Sequence, residues 1–227
     1  MIIEDAYLRA ALADRPVFLR KLHDFVVRHR RGDLPAFVLQ ARAVGLAAEL
    51  PVRTEPFRQL LAAGSGESQT WWEGFRQSSS SAAATFDGIE LLSYDDGAAW
   101  ATALHADGHL IAGMWLFDDR MGGEDPKRLV LPYFYAEAFA DFAKIVGNIE
   151  RVREQPTTFE MTATLWHVSS LHFGTRARHG NGVRLMKPIA QPALQWPIRS
   201  GCGDVELTDI ARRMADDLLA AFGMMPS

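Results

Sequence analysis

Only one cysteine, Cys202, occurs in the 227 residues of this chain, which excludes an internal disulfide and any metal site built from several cysteines. The chain also lacks an apolar run of about 18 residues, so we expect no membrane-spanning helix. Its first residues are acidic and lack the basic segment and apolar core of a secretory signal. These absences predict a cytoplasmic protein that does not associate with membranes.

Sequence motifs for nucleotide-dependent or hydrolytic chemistry are missing as well. The chain has no phosphate-binding Gly-x-x-x-x-Gly-Lys loop, no Gly-x-Gly-x-x-Gly fingerprint, no Gly-x-Ser-x-Gly elbow and no His-Glu-x-x-His motif. Cys202 precedes a predicted helix start, where a thiolate can be stabilised, but the negative charge of Asp204 opposes thiolate formation. The sequence therefore predicts no cofactor and favours a protein without catalytic activity.

Acidic residues are absent from residues 161–203, a stretch of 43 residues. The 75 residues before it, 86–160, contain 14 acidic and 6 basic residues. The chain has a formal net charge of −4, so it is strongly bipolar along its length. The basic residues of the acid-free segment are Arg176, Arg178, Arg184, Lys187 and Arg199.

A Ser- and Ala-rich segment at residues 77–85 has the composition of a flexible linker. Apolar residues recur at helical spacing before it and alternate at strand spacing after it. We therefore predict a helical domain at residues 1–76 and an α+β domain at residues 86–227. Four helices are predicted in the first domain: residues 4–13, one starting at Pro16, one capped by Asp33 with Phe37, Val38, Ala41, Val44 and Ala48 on one face, and one capped by Thr54.

Turn residues predict a three-stranded antiparallel meander at residues 88–94, 98–106 and 109–117. Asp107-Gly108 favours a two-residue turn, which would place Trp100 opposite Trp115 and put His105 and His109 on opposite faces of the sheet. A three-residue loop at residues 95–97 would place Leu92 opposite Trp100.

The rest of the second domain is predicted to alternate helices and strands. We expect a helix from Pro132, a strand at residues 157–168, a hairpin at residues 171–189 around Gly180-Asn181-Gly182, and a last helix capped by Asp204 and closed by Gly223. The predicted class is α+β, with an all-helical N-terminal region followed by a mainly antiparallel sheet.

The predicted basic hairpin is the first candidate site. Arg176 and Arg178 are two residues apart and share a face of a strand, and Arg184 lies on the opposite limb. A hairpin of this kind can enter a nucleic-acid groove or bind phosphates through its guanidinium groups. The residues assigned to this site are His172, Arg176, Arg178, His179, Arg184 and Lys187. Two other interpretations stay open: the charges prevent edge-to-edge strand pairing, or they pair with acidic groups of this chain or of a second copy.

An acidic cluster is the second candidate site. The loop at residues 95–97 and the end of the third meander strand would meet at one end of the sheet. Hard cations such as Mg²⁺ or Ca²⁺ bind clustered carboxylates, although Asp-Asp-Gly is also ordinary turn chemistry. The predicted ligands are Asp95, Asp96, Asp118 and Asp119.

These features favour a non-enzymatic binding or regulatory protein that presents the basic hairpin to nucleic acid or another polyanion. The first alternative is a protein–protein assembly or homodimer module, in which the hairpin meets the acidic end of the sheet. The second alternative is a metal-dependent hydrolase that uses the acidic cluster.

Overall fold

A computed structural model of the chain describes residues 13, 15–29, 36–63, 82–95, 98–116, 128–130, 132–166, 171–176, 183–185 and 193–224. Four helices occur in this part of the chain: α1 (Pro16–His29), α2 (Glu55–Ala63), α3 (Pro132–Arg153) and α4 (Gly203–Ala221). The strands are β1 (Ala36–Ala43), β2 (Ala83–Ala84), β3 (Gly88–Asp95), β4 (Ala98–His105), β5 (His109–Leu116), β6 (Arg128–Val130), β7 (Thr158–Trp166), β8 (Leu171–Arg176), β9 (Val183–Leu185), β10 (Ala193–Gln195) and β11 (Arg199–Cys202).

Eight of these strands form one antiparallel sheet. Seven follow the order β10-β7-β1-β5-β4-β3-β2, and β11 also pairs with β7. A second sheet has the order β6-β8-β9, in which β6 pairs with β8 in parallel and β8 with β9 antiparallel. The predicted α+β class with a mainly antiparallel sheet is confirmed.

The prediction of a helix after Asp33 is wrong, because Ala36–Ala43 form strand β1 in the middle of the large sheet. β1 pairs with β5 on one side and with β7 on the other, and seven of its eight residues are buried. A strand covered on both faces is apolar throughout, so its pattern resembles that of a buried helix. The first 76 residues are therefore not all helical, and residues on both sides of the predicted linker share one sheet. Of the predicted helix at residues 4–13, only residue 13 is described.

The meander is confirmed, but its predicted register is wrong by one residue. Trp100 pairs with Met114 and with Ser93, instead of with Trp115 and Leu92. The turn after β4 has three residues, with Gly108 at φ +78° and its amide donating to the His105 carbonyl over 3.0 Å. The Gly108 carbonyl accepts a hydrogen bond from Ala43 of β1, so a contact between distant parts of the chain accompanies this turn.

Helices α2, α3 and α4 cover one face of the large sheet with an apolar core. Helix α4 buries Leu207, Ile210, Ala211, Met214 and Leu218 in this core. Gly223 (φ +72°) closes α4 as predicted, but Cys202 occupies the N-cap position, and Asp204 forms an ion pair with Arg151 of α3 at 2.5 Å. Large side chains of this core include Phe37, Leu39, Tyr135, Phe139, Phe142, Phe159, Trp196, Leu207 and Met214.

Helix α1 packs on the opposite face of the sheet, where the strands carry small residues. Phe18, Leu22, Phe25 and Val26 of α1 are buried against Ala101, Ala103, Ile111 and Trp115. Gly113 allows the close approach, because a Cβ there would lie 2.6 Å from Cε1 of Phe25.

Candidate functional site

The predicted basic hairpin is present as the ladder of β8 and β9. Arg176 pairs with Val183, and Arg184 pairs with Thr175. Paired positions share a face of the ladder, and successive positions along a strand alternate between the two faces. Positions 176 and 184 therefore belong to opposite faces of the hairpin. His172 lies in β8, opposite Leu129 of β6. Arg178, His179 and Lys187 lie outside the described residues.

One basic residue of the acid-free segment is neutralised by an acidic residue of the same chain. Nη2 of Arg199 in β11 lies 2.6 Å from Oδ2 of Asp217 in α4. For Arg199, the interpretation that the charges pair with acidic groups of this chain therefore applies.

The predicted acidic cluster lies largely outside the described residues. Asp95, at the end of β3, and Leu116, at the end of β5, both pair with Ala98 at the start of β4. The ends of β3 and β5 therefore lie at the same end of the sheet, one on each side of β4. Asp96, Asp118 and Asp119 are not described. Within the described ranges, no group of three or more His, Cys, Asp or Glu residues is placed to hold a metal ion. The metal hypothesis stays a prediction.

A cavity of about 220 Å³ beside α1 forms a further candidate site that sequence reasoning did not identify. Helix α1 contributes most of its lining, the turn before β3 contributes Asp87, and the end of β4 contributes His105. We call it the α1 cavity. Its lining residues are Arg20, Lys21, Asp24, Phe25, Arg28, Asp87 and His105.

Asp87 connects two basic side chains at the α1 cavity. Its Oδ2 accepts a hydrogen bond from Nζ of Lys21 at 2.8 Å and lies 2.9 Å from Nδ1 of His105. Burial alone would raise the pKa of Asp87, but the bond from Lys21 and the charges of His105 and Lys21 outweigh it and lower the pKa to about 2. With Nδ1 donating to this carboxylate, Nε2 of His105 keeps its lone pair.

Burial and the nearby charge of Lys21 lower the pKa of His105, although Asp87 and Asp107 act in the opposite direction. The imidazole is therefore neutral near pH 7. With Nδ1 donating to Asp87, Nε2 of the neutral ring is a hydrogen-bond acceptor.

A second carboxylate–histidine pair holds the C-terminal end of α1. Oε1 of Glu90 in β3 lies 2.8 Å from Nε2 of His29 and 3.2 Å from Nη1 of Arg28. Burial would raise the pKa of Glu90, but the hydrogen bond from His29 and the charges of His29 and Arg28 lower it overall. Lys21 through Asp87, and Arg28 and His29 through Glu90, fasten α1 to the start of β3 and to β3 itself.

His109 lies beneath α1, on the same side of the sheet as His105. The prediction that the two histidines occupy opposite faces is wrong, because the three-residue turn places them across from each other, with ring centroids 6.3 Å apart. Nε2 of His109 lies 3.0 Å from Oε1 of Gln40, and among the described residues its Nδ1 has no hydrogen-bond partner. Burial, together with the charges of His105, Lys21 and Arg42, holds the pKa of His109 well below its usual value.

Cys202 is held as a thiol. Its Sγ donates to Oε1 of Glu150 at 3.6 Å. Partial burial and the negative charge of Glu150 raise the pKa of Cys202, so the environment opposes formation of a nucleophilic thiolate.

Within the part of the chain that the structure describes, none of the helices has the length and apolar character needed to cross a membrane. Comparison with known proteins gives no match: no protein family model, no curated protein and no solved structure is significantly similar to this chain.

Proposed function

We propose that the protein is a non-enzymatic binding protein that presents the β8–β9 hairpin to nucleic acid or another polyanion. The observation that carries this proposal is the acid-free segment of 43 residues, which includes both strands of the hairpin and the loop between them. Within the segment itself, no carboxylate competes with phosphates for the arginines of the hairpin, although Arg199 pairs with Asp217 of α4.

The register of the hairpin supports insertion into a groove. Positions 176 and 184 belong to opposite faces of the ladder, so each face has one position occupied by an arginine. The major groove of duplex DNA admits a two-stranded β-ribbon, and its two phosphate backbones lie on either side. Bidentate guanidinium groups match phosphate oxygens.

Charge reversal in the hairpin tests the proposal. The variant Arg176→Glu/Arg184→Glu should bind a labelled DNA duplex more weakly in fluorescence anisotropy, and its dependence of log Kd on log salt should flatten by about one unit for each lost phosphate contact. The matched control is Arg212→Glu/Arg213→Glu, which reverses two exposed arginines of α4. Equal affinity of the two double variants would show that the hairpin is not the binding site.

A further inference from the structure

We propose that helix α1 is an acid-sensitive element: in mild acid, protonation of His109 releases α1 from the sheet, while the sheet and the helices on its other face stay folded. This inference goes beyond the proposed function, because it concerns a conformational change that needs no ligand. Three features carry it: the burial of the His109 ring beneath α1, the charged groups around that ring, and the separate core in which α1 packs.

The ring of His109 in β5 is shut off from water by α1. The residue is fully buried, and the ring of Phe18 packs edge-on against it, with the ring centroids 5.1 Å apart. With Nε2 donating to Oε1 of Gln40, the neutral ring keeps Nδ1 as an acceptor, and no described residue supplies a donor to it. Protonation would turn Nδ1 into a buried, charged donor without an acceptor, which costs more free energy than leaving the neutral ring buried.

Basic side chains from three elements lie near the His109 ring. They are His105 of β4, Lys21 of α1 and Arg42 of β1, and together with burial they hold the pKa of His109 well below its usual value. When α1 leaves the sheet, water reaches the ring and its pKa returns to about 6.5. The released form therefore binds a proton that the docked form excludes. Release becomes more favourable as the pH falls below about 6.5, until the pKa of the docked form is reached.

The carboxylates around α1 contact groups other than the His109 ring. Asp107 accepts a hydrogen bond from the backbone amide of His109 at 3.1 Å, and its Oδ2 lies 3.6 Å from Nζ of Lys21. The others are Asp87, which contacts Lys21 and His105, Glu90, which contacts Arg28 and His29, and Glu160, which contacts Arg15. Among the described residues, none of these carboxylates forms an ion pair with the His109 ring, so a charge on that ring is not compensated.

Helix α1 can leave the sheet without disrupting the core on the other face. Its buried stripe belongs to a cluster separate from the core that α2, α3 and α4 form with the sheet. Among the described residues, no backbone hydrogen bond joins α1 to a strand, so its release leaves the strand pairing intact. Of its polar attachments, the contact between His29 and Glu90 is buried, whereas those of Lys21 and Arg28 are partly exposed and contribute little.

Release of α1 is accompanied by loss of its helical hydrogen bonds. The helix has 14 residues, and isolated helices of about this length are marginally stable in water. The amides of released α1 therefore exchange with solvent, through an opening that leaves the rest of the fold protected.

Hydrogen exchange at single amides of the full chain tests the inference, with rates corrected for the intrinsic effect of pH. From pH 7 to pH 5, protonation of His109 should raise the opening equilibrium of the α1 amides by up to about 25-fold. That opening should also depend less on urea than the opening of the α4 amides, because release of one helix exposes less surface than unfolding does. The variant His109→Gln should lose most of the pH dependence, whereas His23→Gln, which changes a half-exposed ring of α1, should keep it.

Three results would overturn the inference, and two of them need only the wild-type protein. If the amides of α1 and α4 share one opening free energy and one urea dependence at each pH, α1 does not leave the sheet separately. If nuclear magnetic resonance shows that the His109 ring is protonated while the α1 amides stay protected, its charge does not release α1. If His109→Gln folds and the opening of α1 keeps the pH dependence of the wild type, another group is responsible.

Discussion

Acidification from pH 6.5 to pH 5 should destabilise the protein through the histidine buried beneath α1. His109 is fully buried, and its pKa lies well below the ordinary value of 6.5. When the folded pKa of a histidine is lowered, the unfolded state binds the proton at a higher pH than the folded state does. The free energy of unfolding therefore falls as the pH drops below about 6.5, and it keeps falling until the folded pKa is reached. The basic groups near His109 are His105, Lys21 and Arg42, which all oppose its protonation.

The magnitude follows from proton linkage. At pH 6.5 the unfolded state is half protonated at this histidine, so His109 alone removes at most about 1.7 kcal/mol between pH 6.5 and pH 5. For a chain of this length, that loss lowers the melting temperature by at most roughly 3–7 °C. His105, whose pKa is also lowered, adds to the loss in the same direction.

The carboxylates beside α1 do not contribute in this pH window. The folded pKa values of Asp87 and Glu90 are lowered, that of Asp87 to about 2 from 3.8. Their stabilising effect is present above the unfolded pKa and is lost only as the pH falls through the folded pKa. The interval from pH 5 to pH 6.5 therefore isolates the histidines.

Urea denaturation of the wild type and of His109→Gln at several pH values measures this effect. The substitution should reduce the dependence of unfolding free energy on pH by up to about 1.4 kcal/mol per pH unit between pH 5 and pH 6.5. His23→Gln is the control, because the ring of His23 is about half exposed and should leave the slope unchanged. An identical slope in His109→Gln and the wild type would refute the reasoning.

Two further predictions concern packing and thiol chemistry. Gly113→Ala should lower the unfolding free energy by about 1–3 kcal/mol, because the new Cβ would overlap Phe25. In Gly147→Ala the new Cβ would overlap only the flexible carboxylate of Asp204, so the loss of unfolding free energy should be smaller. Thermal melts compare the two variants. Iodoacetamide should alkylate Cys202 more slowly than a free cysteine at pH 8. The variant Glu150→Gln should be alkylated faster, because the substitution removes the negative charge that raises the pKa of this thiol. Equal alkylation rates in the wild type and the variant would contradict the effect of Glu150 on Cys202.

Local patterns in the sequence were sufficient for elements with one buried face. Helix α1 has an apolar stripe and strand β7 alternates apolar and polar residues, so the spacing of their apolar residues identifies each element. The spacing in strand β1 does not identify a strand, since both of its faces are buried and residues 36–40 include four consecutive apolar residues. Its place between β5 and β7 depends on residues more than 65 positions away, which no local pattern reports.

The α1 cavity could not be predicted because it depends on the strand register and on contacts between residues far apart in the chain. Asp107-Gly108 is compatible with a two-residue or a three-residue turn, and the hydrogen bond from Ala43 to Gly108 accompanies the longer one. A shift of one residue exchanges the two faces of a strand, so the predicted turn separated His105 from His109. Lys21 and Asp87 are 66 residues apart in the chain, and only the packing of α1 on the sheet brings them together.

The salt dependence of duplex binding by the wild-type protein tests the central claim most directly. Fluorescence anisotropy with a labelled DNA duplex, repeated from low to physiological salt, gives the slope of log affinity against log salt. If Arg176, Arg178 and Arg184 each contact one phosphate, the slope should be about −2.7 or steeper. An absence of binding at low salt, or an affinity that does not change with salt, would contradict the assignment of the hairpin as a polyanion-binding site.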